Sequence, residues 1–109
     1  PFVWPRSGRL GVEGEALGSQ LADYFGVDDG VLVTMVHEDS VAERAGLQAG
    51  DVIVAVDGQP VDGVDALRRR LSDVEPGEDF QITVMRERSE LSLAAQFEES
   101  PTGRRGRGI

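Results

Sequence analysis

The chain has 109 residues, 39% of them hydrophobic and 28% charged, and its 11 basic against 20 acidic residues leave a formal net charge of -9 with no cysteine. A single domain of this size buries roughly 65% of the surface its unfolded chain exposes, enough for one modest core without a disulfide or metal staple. The composition excludes thiol chemistry. The acid excess argues against a nucleic-acid-binding body, because phosphate neutralisation needs clustered Lys or Arg.

No apolar run approaches the roughly 20 residues that span a bilayer, and no signal-peptide core is present. All basic residues are Arg, and three of them, Arg104, Arg105 and Arg107, fall in the last nine positions, which hold no acid. Residues 1–100 therefore carry -12 and residues 101–109 carry +3. The start at Pro1 rather than Met suggests a piece of a longer protein.

Pro1 to Gly8 has two prolines and no periodicity, and reads as an extended arm with Phe2 and Trp4 as anchors. Arg9–Glu13 reads as a short strand that Gly14 ends or bends. Leu17, Leu21, Tyr24 and Phe25 recur at helical spacing, which predicts an amphipathic helix stopped by Gly26. Val31–Val36 is a β-branched run apolar on both faces, the pattern of a strand buried from both sides. Ser40-Val-Ala-Glu43 is a capping box opening a short helix to Ala45, with Gly46 as its left-handed stop and Leu47 covering the end.

Gly50-Asp51 leads into a second buried strand, Val52–Val56, which Asp57-Gly58 turns at once. Asp62 reads as the N-cap of a longer helix from about Gly63 to Val74, and Glu75–Asp79 breaks the chain. Two alternating strands close the domain, one with Phe80, Ile82 and Val84 on one face and the next with Leu91, Leu93, Ala95 and Phe97, joined by the polar tip Arg86–Glu90. The reading gives about five strands, two short helices and one longer helix.

The segment Asp29-Gly-Val-Leu-Val-Thr34, followed by Ser40-Val-Ala-Glu-Arg-Ala-Gly-Leu-Gln-Ala-Gly-Asp-Val-Ile-Val-Ala-Val-Asp-Gly-Gln-Pro-Val61, resembles a bacterial PDZ domain of the type appended to HtrA-like serine proteases and other envelope proteins. Leu67-Arg-Arg-Arg-Leu71, Pro76-Gly77 and Ile82-Thr-Val-Met-Arg86 continue the pattern, so the likeness covers about residues 9–97. The most specific part is the Ala-Gly-Leu-x-x-Gly-Asp-x-Ile run from Ala45. It is a folding signature, and function must come from elsewhere.

The resemblance implies an α+β fold, a partly open five- to six-stranded antiparallel barrel or sandwich capped by one longer and two short helices. It divides the chain into an N-terminal arm (1–8), a PDZ domain (9–98) and a basic Gly/Arg tail (99–109). It also implies a groove between one strand and the longer helix, where a peptide adds as an extra antiparallel strand. Arg9-Leu10-Gly11-Val12 matches the x-apolar-Gly-apolar loop whose N–H groups take a terminal carboxylate. Glycine suits that place because a Cβ hinders convergence of successive N–H groups on one anion. Leu10 and Val12 would floor the pocket, Glu13 would continue the strand, Val64 and Arg68 would border the peptide, and Leu71 would close the pocket.

Catalysis finds no support in the residues. His37 is the sole histidine, and none of the seven serines sits in a nucleophile elbow. The pairs Asp28-Asp29 and Glu38-Asp39 lack calcium-loop spacing and read as turn formers, so no metal or cofactor is expected.

The expectation is a non-catalytic module binding an extended peptide or protein C-terminus. The alternative is the regulatory domain of an HtrA-like or intramembrane protease, gating an active site outside this chain. The partners expected are peptides, without nucleic acid or membrane insertion, although a third reading makes the basic tail a contact for nucleic acid or an acidic surface. Ile109, a terminal carboxylate on an apolar residue, could occupy the groove of a neighbouring copy. Only the family resemblance favours the periplasm or envelope.

Overall fold

The computed structural model describes residues 2–3 and 10–97 of the chain. Its elements are β1 (Phe2–Val3), β2 (Val12–Ala16), α1 (Ser19–Phe25), β3 (Val31–Val36), α2 (Val41–Ala45), β4 (Val52–Val56), β5 (Gln59–Pro60), α3 (Val64–Ser72), β6 (Asp79–Arg86) and β7 (Ser89–Gln96). All strand pairs among these residues are antiparallel, in the order β1-β2-β3-β4-β6-β7, with β5 paired to β4. The core gathers Leu10, Val12, Val31, Val33, Ile53, Val56, Leu67, Leu71, Phe80, Ile82 and Val84, and the Phe80 and Phe97 rings lie 4.8 Å apart between centroids.

Alternation decides which side chains reach this core. Phe80, Ile82 and Val84 of β6 are buried, as their period-2 spacing predicts, while Gln81 is exposed. In β3 only Val31 and Val33 are buried, and Thr34 and Met35 are exposed, so the strand is covered on one face rather than both. β2 begins at Val12 rather than at Arg9, which lies outside the described residues. Gly14 does not end the strand; the register with β3 shifts between Glu13 and Gly14, and pairing continues to Ala16.

The helices depart from their predicted boundaries for local reasons. α1 starts at Ser19, and its buried residue is Ala22, whereas Leu21 and Tyr24 are exposed, so its apolar stripe is not its core face. Gly26 closes it in the left-handed conformation at φ 77°, with its N–H donating to Ala22 and Asp23 carbonyls. α2 is capped by Ser40, whose Oγ accepts from Glu43 N–H at 3.1 Å, while Glu43 Oε1 reaches the N–H of Asp39 at 2.8 Å instead of that of Ser40. The N-cap of α3 is Gly63 in an extended conformation without a side-chain cap, not Asp62. α3 buries Ala66, Leu67 and Leu71, with Val74 just beyond its end, and packs beside β4 and β2.

The Gly50-Asp51 turn holds the sheet by charge as well as by packing. Asp51 is 1% exposed. Its carboxylate accepts from Arg86 Nε and Nη2, both at 2.8 Å, and from the N–H of Gln48 at 2.9 Å. Arg86 Nη2 also donates to the Gly46 carbonyl. Arg86 is thus the last residue of β6 and not part of a free hairpin tip. Hydrogen bonding to Asp51 raises its guanidinium pKa above the ordinary arginine value.

Candidate functional site

Among the described residues, the segment Leu10-Gly11, ahead of β2, is fastened from one side. Ala42 N–H, in the first turn of α2, donates to the Leu10 carbonyl at 2.9 Å, and His37 N–H, just after β3, donates to the Gly11 carbonyl at 2.9 Å. Every described peptide bond is trans, so each carbonyl points opposite to the N–H that shares its plane. The N–H groups of Gly11 and Val12 consequently face away from β3 and α2, toward the outer edge of β2.

Gly11 permits this arrangement. Its φ is +88°, and a Cβ there would overlap Ser40 Cβ and lie 2.9 Å from Ser40 Oγ. Ser40 is itself immobilised, with its hydroxyl donating to the His37 carbonyl at 2.7 Å while it caps α2. The only serine close to His37 in sequence is therefore a structural cap.

The outer edge continues along β2. Thr34 Oγ1 donates to the Glu13 carbonyl at 3.1 Å, which turns that carbonyl toward β3 and the Gly14 N–H toward the outer side. Val12 and Gly14 thus present backbone donors on one edge, the ladder an added strand requires. β3 takes the other edge.

Of the residues singled out from the sequence, Leu10, Val12 and Leu71 are buried in one cluster, and Val64 packs against it half-buried. Glu13 is half-buried, with Oε2 at 3.6 Å from His37 Nε2. Arg68 is exposed on α3. Arg9 and Ile109 lie outside the described residues, as do Trp4 and the basic tail. The sequence reading missed the backing of the loop by His37, Ser40 and Ala42. A glycine at a positive φ leaves no trace of which distant side chain forbids its Cβ.

Among the described residues, no group of three or more His, Asp or Glu side chains could hold a metal ion. A concavity of about 590 Å³ lies between the end of α1 and the β6–β7 turn, lined by residues including Tyr24, Phe25, Asp51, Arg86 and Arg88. Its guanidinium groups are committed, Arg86 to Asp51 and Arg88 to the Tyr24 carbonyl at 2.7 Å.

The sequence model of the PDZ domain matches residues 8–96. The chain is 38% identical over 103 residues to a probable periplasmic serine endoprotease, DegP-like, of Halomonas elongata, covering 93% of this chain and 22% of that protein. It is similar in structure to an HtrA-type protease, AlgW, solved with a decapeptide, with a TM-score of 0.71 and 33% identity over 84% of this chain and 29% of that one. The HtrA3 PDZ domain, solved with the phage-derived ligand FGRWV, aligns with a TM-score of 0.69 and 26% identity over 90% and 91% of the two chains. The chain spans about a fifth of the length of the curated relatives it matches.

Proposed function

Since this chain belongs to the PDZ domain family, a family of peptide-binding modules, we propose that it captures protein C-termini by adding them as an antiparallel strand to the outer edge of β2. The observation that carries the reading is the one-sided fastening of Leu10 and Gly11, which turns two successive N–H groups to the same side. A terminal carboxylate there accepts charge-assisted hydrogen bonds, each up to about twice as strong as neutral ones. Leu10, Val12 and Leu71 receive the last apolar side chain, and Val64, Glu13 and Arg68 border the residues before it. An apolar Val64 favours an apolar or unselective ligand position beside it. Arg9, next to the loop in sequence, would add a positive charge near the carboxylate.

Binding is expected near micromolar, about -8 kcal/mol, because few residues are contacted and the peptide must be ordered. Calorimetry with the pentapeptide Phe-Gly-Arg-Trp-Val and its C-terminal amide tests the site. A loss of tenfold or more on amidation supports the carboxylate loop. Equal binding of the two overturns it, though recognition of internal peptides would survive.

Within a longer protein of the kind its relatives represent, the module would recruit substrates to a protease domain or gate that domain, in the periplasm or envelope. The two roles separate in the full-length protein. Free pentapeptide should accelerate cleavage of an unrelated substrate if the groove gates, and should compete with substrate if it recruits. The tail ending at Ile109 would be a ligand for a neighbouring copy, and removing residues 99–109 would then abolish any concentration-dependent dimer in sedimentation.

A further inference from the structure

The outer edge of β2 already has a neighbour in the chain itself. β1 pairs antiparallel with β2, Phe2 opposite Gly14 and Val3 opposite Glu13. It therefore runs toward the Gly11 loop, in the direction a ligand would take to bring its C-terminus there. A peptide whose last residue lies opposite Val12 places its third-last residue opposite Gly14, the position that Phe2 holds. The two strands need the same outward-facing backbone groups of Gly14. They also share the position opposite Glu13, which Val3 holds.

Resting on the peptide-binding reading above, we infer that Phe2–Val3 is an intramolecular competitor, a built-in pseudo-ligand that must leave the edge before a peptide of two or more residues can add. Physical chemistry makes such an arm a regulator rather than a permanent plug. A two-residue strand is marginal by itself. A short tether nonetheless keeps it at an effective concentration in the millimolar range, enough to hold the edge against a weak ligand and to yield to a strong one. The apparent dissociation constant is the intrinsic one divided by the fraction of chains with the arm undocked. Among the described residues, the hydrophobic core cluster runs from Leu10 to Phe97.

The test compares the full chain with a Phe2→Pro/Val3→Pro variant, which removes both N–H donors of β1, and with a chain lacking residues 1–8. Two readouts are taken: hydrogen exchange of the β2 amides without peptide, and affinity for Phe-Gly-Arg-Trp-Val. The second-last and third-last residues of the pentapeptide fall opposite Glu13 and Gly14, the positions that Val3 and Phe2 hold. Both altered chains should exchange β2 amides faster and bind the pentapeptide about threefold to tenfold more tightly.

Unchanged exchange overturns the inference, because the arm then does not pair in solution. Faster exchange with unchanged pentapeptide affinity also overturns it, because pairing without competition is not regulation. So does protection that grows with protein concentration, which would place the arm of a second copy on the edge. If no chain binds the pentapeptide while exchange still reports pairing, the peptide-binding reading has failed and this inference falls with it.

Discussion

The turn at Gly50-Asp51 and the loop at Leu10-Gly11 are both short glycine-containing bends ahead of a strand, yet they dispose of their polar groups in opposite ways. In the turn, the Asp51 carboxylate is nearly fully buried and accepts from Arg86 and Gln48, and Gly50 N–H donates to the Val33 carbonyl. Among the described residues the loop is tied through its carbonyls, which leaves consecutive N–H groups aimed at the edge of β2. A bend whose donors are satisfied internally holds a fold together. One fastened from behind offers its donors to something else. The family signature that makes the sequence recognisable lies in the turn, and the proposed recognition lies in the loop.

Breaking the turn should cost the most. Arg86→Ala strands the Asp51 carboxylate in the core, and about 3 kcal/mol of stability should be lost, a fall in Tm of roughly 15 °C in a domain of this size. Peptide affinity measured at a temperature where the variant remains folded should not change. A loss of affinity equal to that of a loop variant would erase the division drawn between the two bends. Replacing both partners with apolar residues, Asp51→Leu with Arg86→Met, should recover part of the loss, since no charge is then left unpaired.

The pH dependence of this pair follows from the raised Arg86 pKa. A group held above its unfolded value contributes in full below that value and is lost only as pH rises through the raised one. The guanidinium therefore stays charged from neutral into moderately alkaline solution, and titration of Arg86 should introduce no step in chemical denaturation there.

Gly11→Ala should cost about 2 kcal/mol through its positive φ and the clash with Ser40, and should weaken pentapeptide binding tenfold or more. Combining it with Ser40→Gly removes the Cβ it strikes, so the pair should be less destabilised than the sum of the single changes, as a double-mutant cycle in denaturant would show. Strict additivity would mean that Ser40 is not the wall behind the loop.

Ser40→Ala alone removes the cap of α2 at about 1 kcal/mol, with a smaller effect on binding than Gly11→Ala. Arg68→Ala, on the exposed face of α3, should shift stability by less than about 0.5 kcal/mol. Its effect on binding should be a few-fold at most, read by titration with the same peptide.

Most of the sheet is legible in the sequence because alternation and turn chemistry are local. The strand Val31–Val36, the capped helix behind Ser40 and the faces of Phe80, Ile82 and Val84 all follow from spacing. α1 is instructive because its apolar residues have helical spacing and yet Ala22 is the one buried. A seven-residue helix at the rim has room to bury only a small side chain, and periodicity cannot say which side the core is on. Arg86 was legible as a basic residue near a turn but not as the counter-ion of Asp51, since the two meet only after β4 and β6 pair.

The sequence by itself determined the helices and the five longer strands, the PDZ resemblance and the need for glycine before β2, but not the two-residue strands β1 and β5, because caps, alternation and turns are written within a few residues of one another. Tertiary structure alone decided which way the loop faces and what shares its edge. Those depend on His37 and Ala42 reaching back to carbonyls far upstream, and on Phe2 lying beside Gly14. Backbone hydrogen bonds between distant segments have no side-chain signature, so the part of the molecule proposed to bind is the part the sequence describes least.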